Sequence, residues 1–215
     1  MSGFQSEKSG VIFLKKLKKI LPKLINYDII YKIILILGNY ALEVIFVRIL
    51  GIDPGYATIG YGIVDTNGFK FSVVGYGAIT TPAKIPFEKR LKSIYDDILT
   101  VIDKYKPEEL SIERLYFNSN TTTAIDVAQA RGVIVLACES RGVKINEYTP
   151  LQVKQSVTGY GKAEKRQVME MVKNLLGLKA VPKPDDTADA LALAVCHGHS
   201  SASSVSKIIR EEQRQ

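Results

Sequence analysis

The chain has 215 residues, 46% hydrophobic and 24% charged, with a formal net charge of +7, which suits one globular domain with a sizeable core and is barely enough for two. Two cysteines, Cys138 and Cys196, without metal-ligand spacing exclude a disulfide framework and point to a reducing compartment, while two histidines, His197 and His199, exclude a His-rich metal site. Residues 1–46 carry +4 of the charge and the remainder +3, so any nucleic-acid argument rests on local clusters rather than on the pI.

In residues 1–46, the basic run Lys15-Lys16-Leu17-Lys18-Lys19 precedes the apolar stretch Ile29–Leu37. The longest uncharged run, Ile33–Leu42, is too short to span a bilayer. No small-residue cleavage site follows it, so neither a membrane anchor nor a signal peptide is expected. The expectation is an N-terminal extension, disordered or upstream of the true start, with the functional domain over 47–200 and a polar, mobile tail over 201–215.

Val47–Asp53 is a run of branched apolar residues ending in one acid and then Pro54-Gly55, which predicts a buried strand and a turn. Ile59–Asp65 and Phe69–Ile79 flank Asn67-Gly68, the signal of a tight hairpin. Phe87, Leu91, Ile94, Ile98 and Tyr105 recur at helical spacing between Pro86 and Pro107. Glu109–Glu113 alternates as a short strand and, like the first, ends in an acid. Thr121–Arg141 is a helix with apolar residues on nearly all sides, so it is buried all round or covered by a partner chain. A strand over Val143–Tyr148, a helix from Pro150 to about Val157, an amphipathic helix over Ala163–Leu176 and a last helix over Asp185–His199 complete the order. Three strands, helix, strand, helix, strand, helices describes an α/β protein with a mixed sheet flanked by helices.

Four acids stand out within that frame. Asp53 and Glu113 each end a strand, and parallel neighbouring strands would set them side by side. Asp186 and Asp189 lie three apart, hence on one face of a helix. If the last helix lays Ala188, Ala190, Ala192 and Ala194 on the sheet, small side chains let its acids come close. Four carboxylates held together repel unless divalent cations lie between them, and all-oxygen ligands select Mg²⁺ or Mn²⁺. Two such ions about 4 Å apart can activate a water and stabilise a leaving oxygen at phosphorus. A lone Asp53 would equally well cap its own turn. Asp186 would equally well cap a helix, and Asp185 fits that role better.

At this point several pieces match one family. Arg48-Ile-Leu-Gly-Ile-Asp-Pro-Gly55, Ile112-Glu-Arg-Leu-Tyr-Phe117, Ala128-Gln-Ala-Arg-Gly132, Tyr148-Thr-Pro150, Val153-Lys-Gln155 and Asp186-Thr-Ala-Asp-Ala-Leu-Ala192 occur in the order found in the RuvC family of Holliday-junction resolvases. The chain resembles that family over about residues 47–200. The resemblance implies a ribonuclease-H-like fold with a five-stranded mixed sheet and a cytoplasmic homodimer. It implies metal-dependent, symmetric paired cleavage of four-way DNA junctions in recombination and repair. It implies two Mg²⁺ or Mn²⁺ per site, held by catalytic Asp53, Glu113, Asp186 and Asp189. It also implies work alongside the branch-migration proteins RuvA and RuvB.

Tyr116 stands where the family usually has a Phe that stacks on a base, and Phe117 beside it could share the task or belong to the core. Lys154, Lys162, Lys165 and Arg166 form a basic cluster suited to phosphates, although a solvated helix face has the same composition. Tyr160 occupies a position that often carries a basic residue in the family, which suggests packing or hydrogen bonding there. Asn118–Thr123 is expected to be a polar loop facing DNA, and both histidines are expected to end the last helix structurally. The alternative is a related nuclease acting on other branched or linear nucleic acids. A sugar-kinase-like ATPase would need a second nucleotide-binding half, and a non-catalytic binding module would not need all four acids.

Overall fold

Period-two alternation along the first strand sorts the whole domain into layers. In the computed structural model, which describes residues 46–67, 69–115 and 121–212, β1 (Val47–Asp53) is the central strand of a five-stranded sheet. β2 (Thr58–Thr66) and β3 (Phe71–Thr80) follow antiparallel on one side of it. β4 (Glu109–Glu113) and β5 (Lys144–Tyr148) lie parallel on the other, in the order β3-β2-β1-β4-β5. This is the mixed sheet expected from the order of elements.

Leu50 and Ile52 point to one face, where they join Ile63, Ile98, Leu110 and Ile134 in a core beneath α1 (Phe87–Tyr105) and α2 (Thr121–Glu139). Ile49 points to the other face. There it meets Val153, Val168 and Leu191 of α3 (Pro150–Thr158), α4 (Lys165–Leu175) and α5 (Asp185–Glu212). The helices start where local chemistry dictates. Thr149 and Gln152 form a capping box with Pro150 in the first turn, and Glu164 and Gln167 form another.

Three boundaries differ from expectation for physical reasons. The β2–β3 turn is wider than a two-residue hairpin, because Asn67 Oδ1 accepts from Phe69 N at 3.1 Å and Lys70 N at 2.9 Å. α4 starts at Lys165 rather than Ala163, because Ala163 is buried and Glu164 is its cap. α5 remains helical to Glu212, beyond His199. α2 is not apolar all round in its surroundings. Ala130, Ile134, Ala137 and Cys138 are buried, whereas Ile125 and Leu136 are each 59% exposed. Residues 1–45, Gly68, the segment 116–120 with Tyr116 and Phe117, and residues 213–215 lie outside the described residues, and so do the readings made on them.

Candidate active site

Close approach of α5 to the sheet assembles the site, and two glycines permit it. A Cβ on Gly51 would stand 2.0 Å from Ala190 O, and one on Gly60 would stand 1.9 Å from Asp186 O. Only hydrogen fits between those strands and that helix. Opposite them are Ala188, Ala190, Ala192 and Ala194, all buried. Thr187 pins the helix start by donating its N–H to Pro184 O and its hydroxyl to Gly77 O.

The first turns of α5 are thereby brought to the C-terminal ends of β1 and β4. Asp53 and Glu113 share that end, since Ile52 pairs with Ile112 one residue earlier. Asp53, Glu113 and Asp189 line one cleft of ≈ 250 Å³, together with Lys154 and Lys165. Its floor and walls are apolar and include Pro150, Val153, Val168 and Leu193. Asp186 is not among the lining residues, although its charge reaches Asp53.

Electrostatics report the crowding. Burial, then Asp189, Glu113 and Asp186 in that order, push the Asp53 carboxyl up to about 7, with Lys165 opposing them. Burial and then Asp189 raise the Glu113 carboxyl as well. Lys165 Nζ sits 2.9 Å from Asp189 Oδ2, and this hydrogen bond raises the ammonium above its ordinary value. Asp185 stands outside the group. Lys183 Nζ bonds it at 2.8 Å, and that bond lowers its carboxyl.

The basic residues fall into distinct places. Lys154 and Lys165 line the cleft itself. Arg166 lines an adjoining pocket of ≈ 330 Å³ with Lys165, Lys183 and Asp185, and Lys162 is exposed on the turn between α3 and α4. Tyr160 is held at its backbone rather than buried through its ring. It is 59% exposed, while Thr158 Oγ1 holds its backbone N and O.

His197 is bound into a buried network. Its Nε2 lies 2.5 Å from Glu109 Oε2 and its Nδ1 2.6 Å from the Tyr148 hydroxyl. His199 Nδ1 pairs with Ser156 Oγ at 3.1 Å. Both histidines are held by side-chain partners, but neither ends the last helix as expected, because α5 runs on past them to Glu212. Sequence reasoning did not find the glycines under α5, the Lys165–Asp189 pair or the contacts of Arg131. Gly51 lay within a matched motif, but only the register shows what faces it.

Among the described residues, no three His, Cys, Asp or Glu side chains form a ready-made cage for a metal ion. The donor set nevertheless fits a hard cation in its chemistry. Asp53, Glu113 and Asp189 are all-oxygen ligands on one cleft, and Lys165 counters only part of the negative charge that their crowding builds.

A family model described as crossover junction endodeoxyribonuclease RuvC matches residues 49–197. The chain belongs to the RuvC family. A RuvC from Alkaliphilus metalliredigens is 59% identical over 152 residues, covering 71% of this chain and 93% of that one. A RuvC from Halothermothrix orenii is 55% identical over 152 residues, covering 71% and 92%. Among solved structures, Thermus thermophilus RuvC in complex with a Holliday junction substrate superposes with a TM-score of 0.70 at 33% identity, covering 74% of this chain and 96% of that one. The yeast mitochondrial Holliday junction resolvase Ydc2 shares the fold, with a TM-score of 0.57 at 14% identity, covering 77% and 86%. RuvC membership makes the chain a crossover junction endodeoxyribonuclease of DNA recombination and repair with a ribonuclease-H-like sheet, as its motifs implied.

Proposed function

We propose that this RuvC-family chain cleaves four-way DNA junctions in symmetric pairs by metal-dependent hydrolysis, with Asp53, Glu113, Asp186 and Asp189 as the acids that hold the metal. The observation carrying this reading is the convergence of Asp53, Glu113 and Asp189 on one cleft that Lys154 and Lys165 also line. Bound divalent ions, two Mg²⁺ or Mn²⁺ in this reading, would supply water activation and leaving-group stabilisation. The chain's own residues do the rest. Lys154 and Lys165 neutralise the phosphate that enters, and Lys162 and Arg166 hold the flanking backbone. The apolar walls at Val153, Val168 and Leu193 exclude bulk water and strengthen each charge interaction inside.

Tyr116 and Phe117 are the proposed stacking residues at the junction. The homodimer is supported by the exposed Ile125 and Leu136 on α2, which a second copy would cover. Family kinship extends the reading to RuvA and RuvB as partners. Cytoplasmic work accords with two free buried thiols, Cys138 and Cys196.

The test is cleavage of a synthetic four-way junction with Mg²⁺, set against linear duplex and RNA under one salt condition. The expected result is paired nicks in the junction alone, with Asp53→Asn inactive but still able to bind the junction. Equal cutting of linear duplex or RNA would shift the substrate to the broader nuclease reading. Undiminished cutting by Asp53→Asn would remove the site assignment. A molar mass of a monomer at micromolar concentration in light scattering would remove the dimer.

A further inference from the structure

The motif Ala128–Gly132 contributed to the family resemblance without a role of its own, and its arginine makes a contact that no strand could make. Arg114 donates its N–H to Tyr148 O on β5. Backbone groups alternate sides along a parallel strand, so the amide and carbonyl of Glu113 face β1 instead. The pairing of Ile112 with Ile52 makes residue 54 the next donor for that carbonyl, and residue 54 is a proline, which has no N–H.

A guanidinium supplies the missing donor. Arg131 Nε, in the middle of α2, donates to Glu113 O at 3.1 Å. Its Nη2 also bonds the Glu147 carboxylate on β5, whose other oxygen lies 3.5 Å from Arg114 Nε. Arg131 is only 16% exposed, so it is not a solvated surface charge. Its helix packs on the sheet face opposite α5, so it reaches Glu113 from behind while the Glu113 side chain lines the cleft in front.

We infer that Arg131, aimed by Glu147, is a positioning residue that holds the main chain of Glu113 and so directs its carboxylate into the cleft. The inference rests on the reading of Glu113 as a catalytic acid. Arg131 touches no substrate. It fixes the ψ angle at the end of β4, where the ladder to β1 has run out, and bridges β4, β5 and α2 there. The planar fork suits this task because two of its N–H groups meet two acceptors in fixed directions.

The experiment compares Arg131→Gln, Arg131→Lys, Glu147→Gln, their double variant and Glu113→Gln in the full chain. Four quantities are read: single-turnover junction cleavage at saturating Mg²⁺, junction affinity, thermal midpoint, and metal-free amide exchange at Arg114. Arg131→Gln is expected to slow cleavage on the order of 10²-fold, the cost of a misplacement near 1 Å, with junction affinity unchanged. Arg131→Lys recovers part of the rate, since one ammonium cannot serve both acceptors in the same geometry. Arg131→Gln with Glu147→Gln is no slower than Arg131→Gln alone, because both remove one device. Exchange at Arg114 rises in the same variants without any metal present, as the β4 end frays. Should Arg131→Gln fail to fold, Glu147→Gln carries the test, with a smaller rate loss in the same direction and faster Arg114 exchange. Wild-type cleavage per folded molecule in the folded variants, or unchanged Arg114 exchange, overturns the inference. Full cutting by Glu113→Gln is a separate failure, since it overturns the role of Glu113 itself.

Discussion

Replacing Gly60 by alanine probes the contact that assembles the site. Gly60 pairs with Asp53 across the β1–β2 ladder and lies under the first turn of α5. The added Cβ would stand 1.9 Å from Asp186 O, 2.2 Å from Asp186 C and 2.8 Å from Thr187 N. All three are backbone atoms, so no rotamer change relieves the clash. Real Cβ atoms essentially never stand closer than 3.0 Å to such a neighbour, so the start of α5 must retreat by at least about 1 Å. Gly51 blocks a slide along the sheet, since its neighbour Ala190 O is just as close. Overpacking of this kind costs about 1–3 kcal/mol. The retreat carries Asp186 and Asp189 away from Asp53, and displacement of reacting groups by ~1 Å slows cleavage by roughly 10²-fold. The Asp53 carboxyl should also fall from about 7, since its neighbours and its burial both diminish. Gly60→Ala would be assayed by single-turnover junction cleavage, thermal unfolding and NMR titration of Asp53. A variant with the wild-type rate and an unmoved Asp53 titration would refute the claim that close helix approach creates the cluster.

Three further outcomes follow from the same geometry. Asp53 is raised to about 7 from an ordinary value of 3.8, so the native state holds its proton more tightly than the unfolded chain does. In metal-free protein, stability contributed by this group is present below the ordinary value and is lost as pH rises towards 7. The loss is at most about 4 kcal/mol, less after solvent relaxation. Asp53→Asn should therefore raise the thermal midpoint in chelator at pH 8 and leave it unchanged at pH 3, and equal effects at both would contradict the charge account. Lys165→Met removes a cation that lowers the Asp53 carboxyl, so Asp53 should titrate higher still by carboxylate NMR, and a downward movement would contradict the pairing seen with Asp189. His197→Ala leaves Glu109 and the Tyr148 hydroxyl without their imidazole partner. It should cost about 2–4 kcal/mol in denaturant unfolding, with cleavage per folded molecule retained, and a loss of rate without a loss of stability would give this histidine a different role.

The legibility of the molecule varied with the range of the interaction. Val47–Asp53 and Glu109–Glu113 were readable as acid-ended strands because strand periodicity is local. The parallel pairing that sets Asp53 beside Glu113 was a conjecture from topology, and the register now supports it. The basic cluster was readable as composition, whereas its division was not. Lys154 and Lys165 enter the cleft, Arg166 lines the next pocket and Lys162 stays outside. Helix ends were missed where a cap or a neighbour decided them, as at Glu164.

Arg131 shows the limit most clearly. Nothing within a few residues of it says that a proline just past the end of a distant strand leaves the Glu113 carbonyl without a ladder donor. Taken by itself, the order of residues determined the elements, the four acids and the family, because these depend on local periodicity and on motif spacing. Only the tertiary structure decided which carboxylates share a cleft, which lysine opposes them and which arginine holds the strand end. Those outcomes depend on how near two backbones can come, and the hydrogen atoms of Gly51 and Gly60 set that distance.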